Sequence, residues 1–201
     1  KFVPRDICVT KSFMRILMLC SGKRRVGDTT WYFQQCQWEK GILTEVDLVD
    51  LEVDPPVDLL DLSTHRIIIK KARSGWWAAC YASPPCATWS AALHIRVKGG
   101  PHPFRDRDHP WGLPELSGRR LRRCQEGTNL LLMCLSVLQS VVIGGGSAGL
   151  EHPSDRGVDP YASVWATAAV AEYLVATASV LYLVDQCYWL ANSRKPTTIA
   201  C

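Results

Sequence analysis

Apolar positions along the chain fall into two patterns, short continuous runs and helical periods three and four residues apart. Ile16 to Cys20 is a continuous apolar run of strand length, stopped by Ser21 and Gly22 and followed by the polar loop Lys23 to Gly27, which predicts a buried first strand. Asp28 stands where a helix cap belongs, ahead of a helix through Trp31, Phe33 and Cys36 to about Glu39; Gly41 ends it, and Ile42 to Val46 form a second strand. Val53 to Leu62 carries Pro55, Pro56 and the acids Asp54, Asp58 and Asp61, and reads as loop. Ser63 opens a helix to about Arg73, and Trp76 to Tyr81 is the next strand. Ser83-Pro84-Pro85-Cys86 ends it, because two prolines forbid continuation of either helix or ladder.

Residues 91 to 116 are rich in Gly, Pro, His and Arg, show no period, and read as a long functional loop. From Ser117, Leu121, Cys124, Thr128, Leu131, Leu135, Leu138 and Val142 mark one buried face of a helix that Gly144 to Gly146 stop. Ser147 to Leu150 is a strand ending at Glu151-His152-Pro153. Val164 to Ala176 reads as helix, Ser179 to Val184 as a strand ending at Asp185, and Thr197 to Cys201 as the start of a last one. Strands alternating with helices imply an α/β fold, a mostly parallel sheet with right-handed crossovers and helices on both faces, and such sheets bind ligands at the carboxyl ends of their strands. Ser21/Gly22, Asp47, Asp61, Ser83 to Cys86, Glu151 and Asp185 each follow an apolar run, so one rim is expected to collect them.

Composition sets the bounds. A chain of 201 residues, 47% hydrophobic and 21% charged, fits one globular domain, with residues 1–13 as an N-terminal extension and 91–117 as a loop on the substrate side. Nine cysteines are odd in number and show neither C-x-x-C nor C-x-x-x-C spacing, which argues against a disulfide framework and a zinc knuckle; no metal is expected, and a reducing compartment, cytoplasm or nucleus, fits best. Cys20, Cys36, Cys80, Cys124 and Cys134 fall on core-facing patterns. The longest apolar run, Leu130 to Ile143, is too short for the roughly 20 residues that span a bilayer, so no membrane association is expected. Residue 1 is Lys and no secretory leader opens the chain, which reads as a segment of something longer.

The net charge of +4 is unevenly placed: residues 94 to 124 hold eight Lys or Arg against Asp106, Asp108 and Glu115, a local +5. This stretch is either where a polyanion lies or a solvated, Arg-rich helix start. Arg119, Arg120, Arg122 and Arg123 meet the helix dipole unfavourably unless an anion is near, which favours phosphate contacts. At the rim, Gly22 lets backbone approach a ligand and Asp47 is placed to accept ribose hydroxyls, while Asp61 serves either an adenine amino group or as a helix cap. Lys23-Arg24-Arg25 follows Gly22, and the loop matches neither a dinucleotide fingerprint nor a P-loop. Cys86, fixed by two prolines at the rim, is the candidate nucleophile; a thiol with an ordinary pKa near 8.5 needs positive charge nearby to become a good one. Trp76 and Trp77 read as core, whereas Trp89 and Trp111 fit either core or base stacking.

Ser83-Pro84-Pro85-Cys86-Ala87-Thr88-Trp89-Ser90 resembles the Pro-Pro-Cys loop of cytosine-C5 DNA methyltransferases, and Leu150-Glu151-His152-Pro153 resembles their Glu-Asn-Val or Glu-Asn-Pro motif, with His152 in place of Asn. Asp185-Gln186-Cys187-Tyr188 with Lys195-Pro196-Thr197 is similar to the ending of compact phage-type members and of methyltransferase-like segments in retroelement polyproteins. The resemblance covers about residues 14 to 201. It implies a Rossmann-like, S-adenosylmethionine-dependent fold in which Cys86 adds to cytosine C6 and Glu151 engages N3, with the base flipped out of duplex DNA. It further implies a donor site formed by Cys20, Ser21, Gly22, Asp47, Asp61, Ser83, Pro84 and Pro85, and nucleic-acid contacts from Ser90, Arg96, Arg105, Arg107, Arg119, Arg120 and Arg123. No arginine-bearing base-pocket motif and no separate target-recognition domain are evident, so site choice would fall to residues 91 to 124 or to other domains of a parent chain. Two other readings stand beside this one. One is an amino-group methyltransferase acting on adenine or cytosine, which lacks the Asp/Asn and aromatic of its usual loop; the other is an inactive, methyltransferase-like nucleic-acid-binding module.

Overall fold

A computed structural model describes residues 12–95, 98, 100–185 and 196–201. Ten principal elements alternate in the order expected: β1 (Ser12–Leu19), α1 (Thr29–Glu39), β2 (Ile42–Val49), α2 (Leu62–Arg73), β3 (Ala79–Ala82), α3 (Gly118–Ile143), β4 (Ser147–Pro153), α4 (Ala168–Thr177), β5 (Leu181–Asp185) and β6 (Pro196–Ala200). Short 3-10 turns at Ala91–His94 and Val164–Ala166 precede the longer helices. The helix expected to begin at Val164 starts as that turn; Thr167 then caps α4, its side chain accepting from the Val170 amide.

The six strands form one sheet in the order β2-β1-β3-β4-β6-β5. β2, β1, β3 and β4 are mutually parallel, whereas β6 runs antiparallel to both β4 and β5. The sheet is therefore mixed, and the expectation of a mostly parallel one is corrected. The chain leaves β5 and returns beside it as β6, and an adjacent return strand pairs antiparallel; nothing in the apolar pattern says that it inserts between β5 and β4.

Because β2 and β3 flank β1 on opposite sides, right-handed connections put α1 on one face of the sheet and α2 on the other. Strand alternation agrees: Leu17 and Leu19 join the main core, while Ile16 and Met18 are buried on the opposite face. The main core packs β1, β3 and β4 against α2, α3 and α4 through Leu17, Leu19, Ile68, Leu131, Leu138 and Val170. Each such side chain contributes about 1.5–3 kcal/mol on leaving water. α3 is 26 residues long and, by length and apolar content, is a helix that could cross a membrane; here its stripe Leu131, Cys134, Leu135, Leu138 and Val141 is buried in this core. Its N-terminal part joins a second, smaller cluster of Phe104, Leu116 and Cys124.

Several local expectations shift. β1 begins at Ser12, inside what the sequence marks as an extension, and β2 runs on to Val49. Trp77 is core, but Trp76 is 45% exposed, and Cys36 is exposed rather than buried.

Candidate active site at the carboxyl edge of the sheet

Three strand ends are tied together by backbone hydrogen bonds. The Cys20 amide donates to Val49 O (2.9 Å) and the Ser83 amide to Leu19 O (3.2 Å), so the chain leaving β1 is held between those leaving β2 and β3. Cys20 has φ 55°, a left-handed conformation that is costly for a residue with a Cβ. Its Sγ lies 3.8 Å from Cys134 Sγ on α3, which anchors the turn. Gly22 follows at φ 68°, with space where a Cβ would stand and Glu52 Oε2 the nearest atom at 4.0 Å. The Gly22 amide donates to Asp50 Oδ2 at 2.8 Å and the Lys23 amide to Glu52 Oε2 at 3.3 Å.

Asp50, not Asp47, is thus the acid at the end of β2. Asp47 lies within the strand, opposite Leu17, and its Oδ2 accepts the Trp77 indole N–H at 2.7 Å; the expectation that it reaches a ligand at the rim is corrected. That indole stands 30 residues away, beyond the reach of any local pattern, so Asp47 reads as punctuation when it is a satisfied strand residue. Asp61 caps α2, accepting from the Ser63 hydroxyl and from the amide and hydroxyl of Thr64. These bonds, the Ser63 hydroxyl first, hold its carboxyl well below the ordinary range.

The Pro-Pro-Cys loop leaves β3 as expected, and the Ser83 hydroxyl donates to Glu151 Oε2 on neighbouring β4. This bond joins the two motifs, since Glu151 stands where β4 has already passed its pairing with β3 and faces Ile199 of β6. The negative charge of Glu151 adds to burial in pushing the Tyr81 hydroxyl up. Pro84 is buried and Pro85 exposed, and Cys86 is partly exposed. Burial pushes the Cys80 thiol far above its ordinary value, and the Cys20 contact followed by burial does the same for Cys134, which leaves both inert. The loop closes in a turn, the Trp89 amide donating to Cys86 O at 2.9 Å.

What holds that turn is Arg105. It is 1% exposed, and its guanidinium donates to Thr88 Oγ1 from Nε (3.3 Å) and Nη2 (3.1 Å), to Cys124 O (2.7 Å), to Pro110 O (2.8 Å) and to Thr128 Oγ1 (3.0 Å). It also lies 4.1 Å from the centre of the Trp89 ring. Burial pulls its pKa down, yet an arginine stays charged in a protein. The expectation that Arg105 contacts nucleic acid is therefore corrected: it clamps the Thr88–Trp89 turn to α3 and to the 104–113 segment. Trp89 is core, edge-on to Trp111 and to the buried His152, each 6.1 Å away between ring centres. His152 so occupies the side of β4 opposite Glu151 and supports the same loop. Gly127 of α3 permits the approach, because a Cβ there would meet Thr88 Oγ1 at 2.9 Å.

The remaining predicted nucleic-acid residues divide. Ser90 caps the Ala91–His94 turn, Arg107 pairs with Asp155 (3.2 Å), and Arg120 donates to Pro103 O (2.6 Å) and stacks on Phe104. Arg119 and Arg123 are exposed at the α3 start. Arg96, Gln186, Cys187, Tyr188 and Lys195 lie outside the described residues. Thr88, Asp50 and Gly127 are the residues that sequence reading missed. A glycine inside a long helix, at about 1 kcal/mol against alanine, was the one local signal available. Among the described residues no group of His, Cys, Asp or Glu is arranged to hold a metal ion. No family model matches the chain, and the search of curated proteins finds no match.

Proposed function

We propose that this chain is a Rossmann-like, S-adenosylmethionine-dependent methyltransferase domain that acts on cytosine C5 in DNA. The observation that carries the reading is the Ser83–Glu151 hydrogen bond, which couples the Pro-Pro-Cys loop to the carboxylate of the second motif across adjacent strand ends. Ser21 and Gly22, with open space at Gly22, and Asp50 in the place expected of Asp47, are the residues that would hold the methyl donor, with Asp61 and the Ser83–Pro85 loop beside them. S-adenosylmethionine supplies an electrophilic methyl group there when bound.

The chain's own residues do the rest. The Cys86 thiolate forms a bond to C6 of the cytosine while Glu151 holds a proton at N3, so that electron density moves to C5. Transfer of the methyl group to C5 would break the donor's S–CH3 bond and leave S-adenosylhomocysteine; loss of the C5 proton to solvent water, with the C6–S bond breaking and the N3 proton returning to Glu151, then restores the thiolate and the aromatic ring. Arg105, Thr88 and Trp89 fix the turn that carries Cys86, so that the sulfur is positioned before the base arrives.

The test is transfer of a radiolabelled methyl group to cytosine-containing DNA. Cys86→Ser is expected to reduce transfer to background with donor affinity unchanged by calorimetry, and Glu151→Gln to slow it by roughly 10²–10⁴-fold. Full transfer by Cys86→Ser would sink the C5 mechanism. One observation favours a second reading, an inactive nucleic-acid-binding module: the Gly22 and Lys23 amides are already taken by Asp50 and Glu52. Absence of S-adenosylmethionine binding by the wild-type chain, with DNA binding retained, selects it.

A further inference from the structure

The 44 residues from Leu62 to Arg105 contain seven Lys or Arg and no Asp or Glu. Four of these cations lie on α2, and Arg66, Lys70 and Arg73 follow one another at intervals of four and three residues, which places them in a single stripe along the helix. The stripe points away from Ile68 and Ala72, the residues that α2 buries against the core. All three cations are exposed, and none makes an ion pair with a carboxylate among the described residues. They line, with His65 and Ile69, an open cavity of about 510 Å³ along the helix. Where α2 ends, Lys71 lies over the ring of Trp76 at 5.2 Å; Arg15, 4.2 Å from the same ring, is paired with Glu45 at 2.6 Å and adds no free charge to the stripe.

We propose that the Arg66–Lys70–Arg73 face of α2 is a second nucleic-acid contact, which grips the sugar–phosphate backbone without reading sequence. Three cations in line, spanning about 10 Å at 1.5 Å per residue, match a row of phosphates better than one isolated anion. Unpaired arginines and lysines with no acid for 44 residues are a low-cost partner for such a row, because no internal ion pair has to be broken first. His65 adds nothing at neutral pH, since burial lowers its pKa and its Nε2 lies 2.9 Å from Ser136 Oγ. The stripe starts one turn after Asp61 and runs down the side of the domain. It is separate from the arginines at the α3 start, and the assignment does not depend on methyl transfer.

Binding of the whole chain to fluorescein-labelled duplex DNA, followed by anisotropy across a range of salt concentrations, tests it. The variant Arg66→Gln/Lys70→Gln/Arg73→Gln is expected to lose about 2 to 3 from the slope of log K against log [salt], since each phosphate contact contributes about 0.9. Arg66→Lys/Arg73→Lys is expected to keep the wild-type slope. Wild-type circular dichroism and thermal midpoint in both variants show that folding is intact, as the exposure of all three residues predicts. An unchanged slope in the triple variant, or a wild-type chain that does not bind DNA, overturns the proposal. Phosphatidylcholine vesicles doped with anionic phosphatidylserine form the competing arm. If the triple variant loses vesicle binding and keeps its DNA slope, the surface is a membrane contact and the proposal fails. Loss of donor binding or of Cys86-dependent transfer leaves it untouched.

Discussion

The core beneath the sheet and the cap above its carboxyl edge are held together by different physics. Under the sheet, Leu17, Leu19, Leu131, Leu138, Val141 and Val170 are almost wholly buried and the contacts are apolar, non-directional and many. Above the edge, the apolar cluster amounts to Phe104, Leu116 and Cys124, and one guanidinium joins Thr88, Pro110, Cys124 and Thr128. A core of the first kind tolerates the loss of some shape as long as volume is kept. The cap depends on direction, because each acceptor around Arg105 needs a donor at one position. The candidate chemistry sits at the junction: β3 and β4 supply a rigid base for Ser83 and Glu151, while the Arg105 clamp sets the turn after Cys86.

Three substitutions separate the two regions. Leu138→Ala, at a fully buried core position, is expected to have the largest effect, about 3 kcal/mol from lost transfer and the cavity left behind. Its chemical denaturation curve should move as one transition, with the 100–116 segment becoming protease-sensitive only when the whole domain unfolds. Arg105→Lys is expected to cost about 2 to 3 kcal/mol, because an ammonium cannot replace the planar fork and leaves buried acceptors without donors. Here limited proteolysis should cut 100–116 in conditions where the far-ultraviolet spectrum is still native; a cut pattern identical to that of Leu138→Ala would show that cap and core are one cooperative unit. Gly127→Ala should be the mildest, about 1 kcal/mol, as the clash with Thr88 Oγ1 outweighs the gain in helix propensity. In a Thr88→Ala background the same change should become neutral or stabilising, and a double-mutant cycle of denaturation midpoints reads the difference.

Much of the fold is legible in the chain because it rests on local patterns. The strand of ILMLC, the cap at Asp28, the prolines after β3 and the period of α3 from Cys124 through Leu131 and Leu135 to Leu138 each declare themselves within one or two turns of sequence, whereas Leu121, expected on the same buried face, is exposed. The boundary of β2 is less clear, since Asp47 looks like an end and is satisfied by the indole of Trp77. The arginines between 94 and 124 read alike, yet Arg105 is buried, Arg107 is paired, and Arg119 is exposed. Two adjacent tryptophans part company in the same way, Trp77 into the core and Trp76 to a surface shared with Arg15 and Lys71.

The sequence by itself determined the order of strands and helices, the fixed turn at Pro84-Pro85, and the positions of Cys86 and Glu151 after apolar runs, because propensity, proline geometry and hydrophobic period act between near neighbours. Tertiary structure alone decided that β6 inserts antiparallel between β4 and β5, that Ser83 meets Glu151, that Asp50 holds the Gly22 amide, and that Arg105 turns inward. These contacts reach across the chain, 68 positions between Ser83 and Glu151, 28 between Gly22 and Asp50 and 17 between Thr88 and Arg105. Whether a polar side chain faces water or a buried partner depends on which acceptors the fold brings to it, and that is settled only when the distant segments pack.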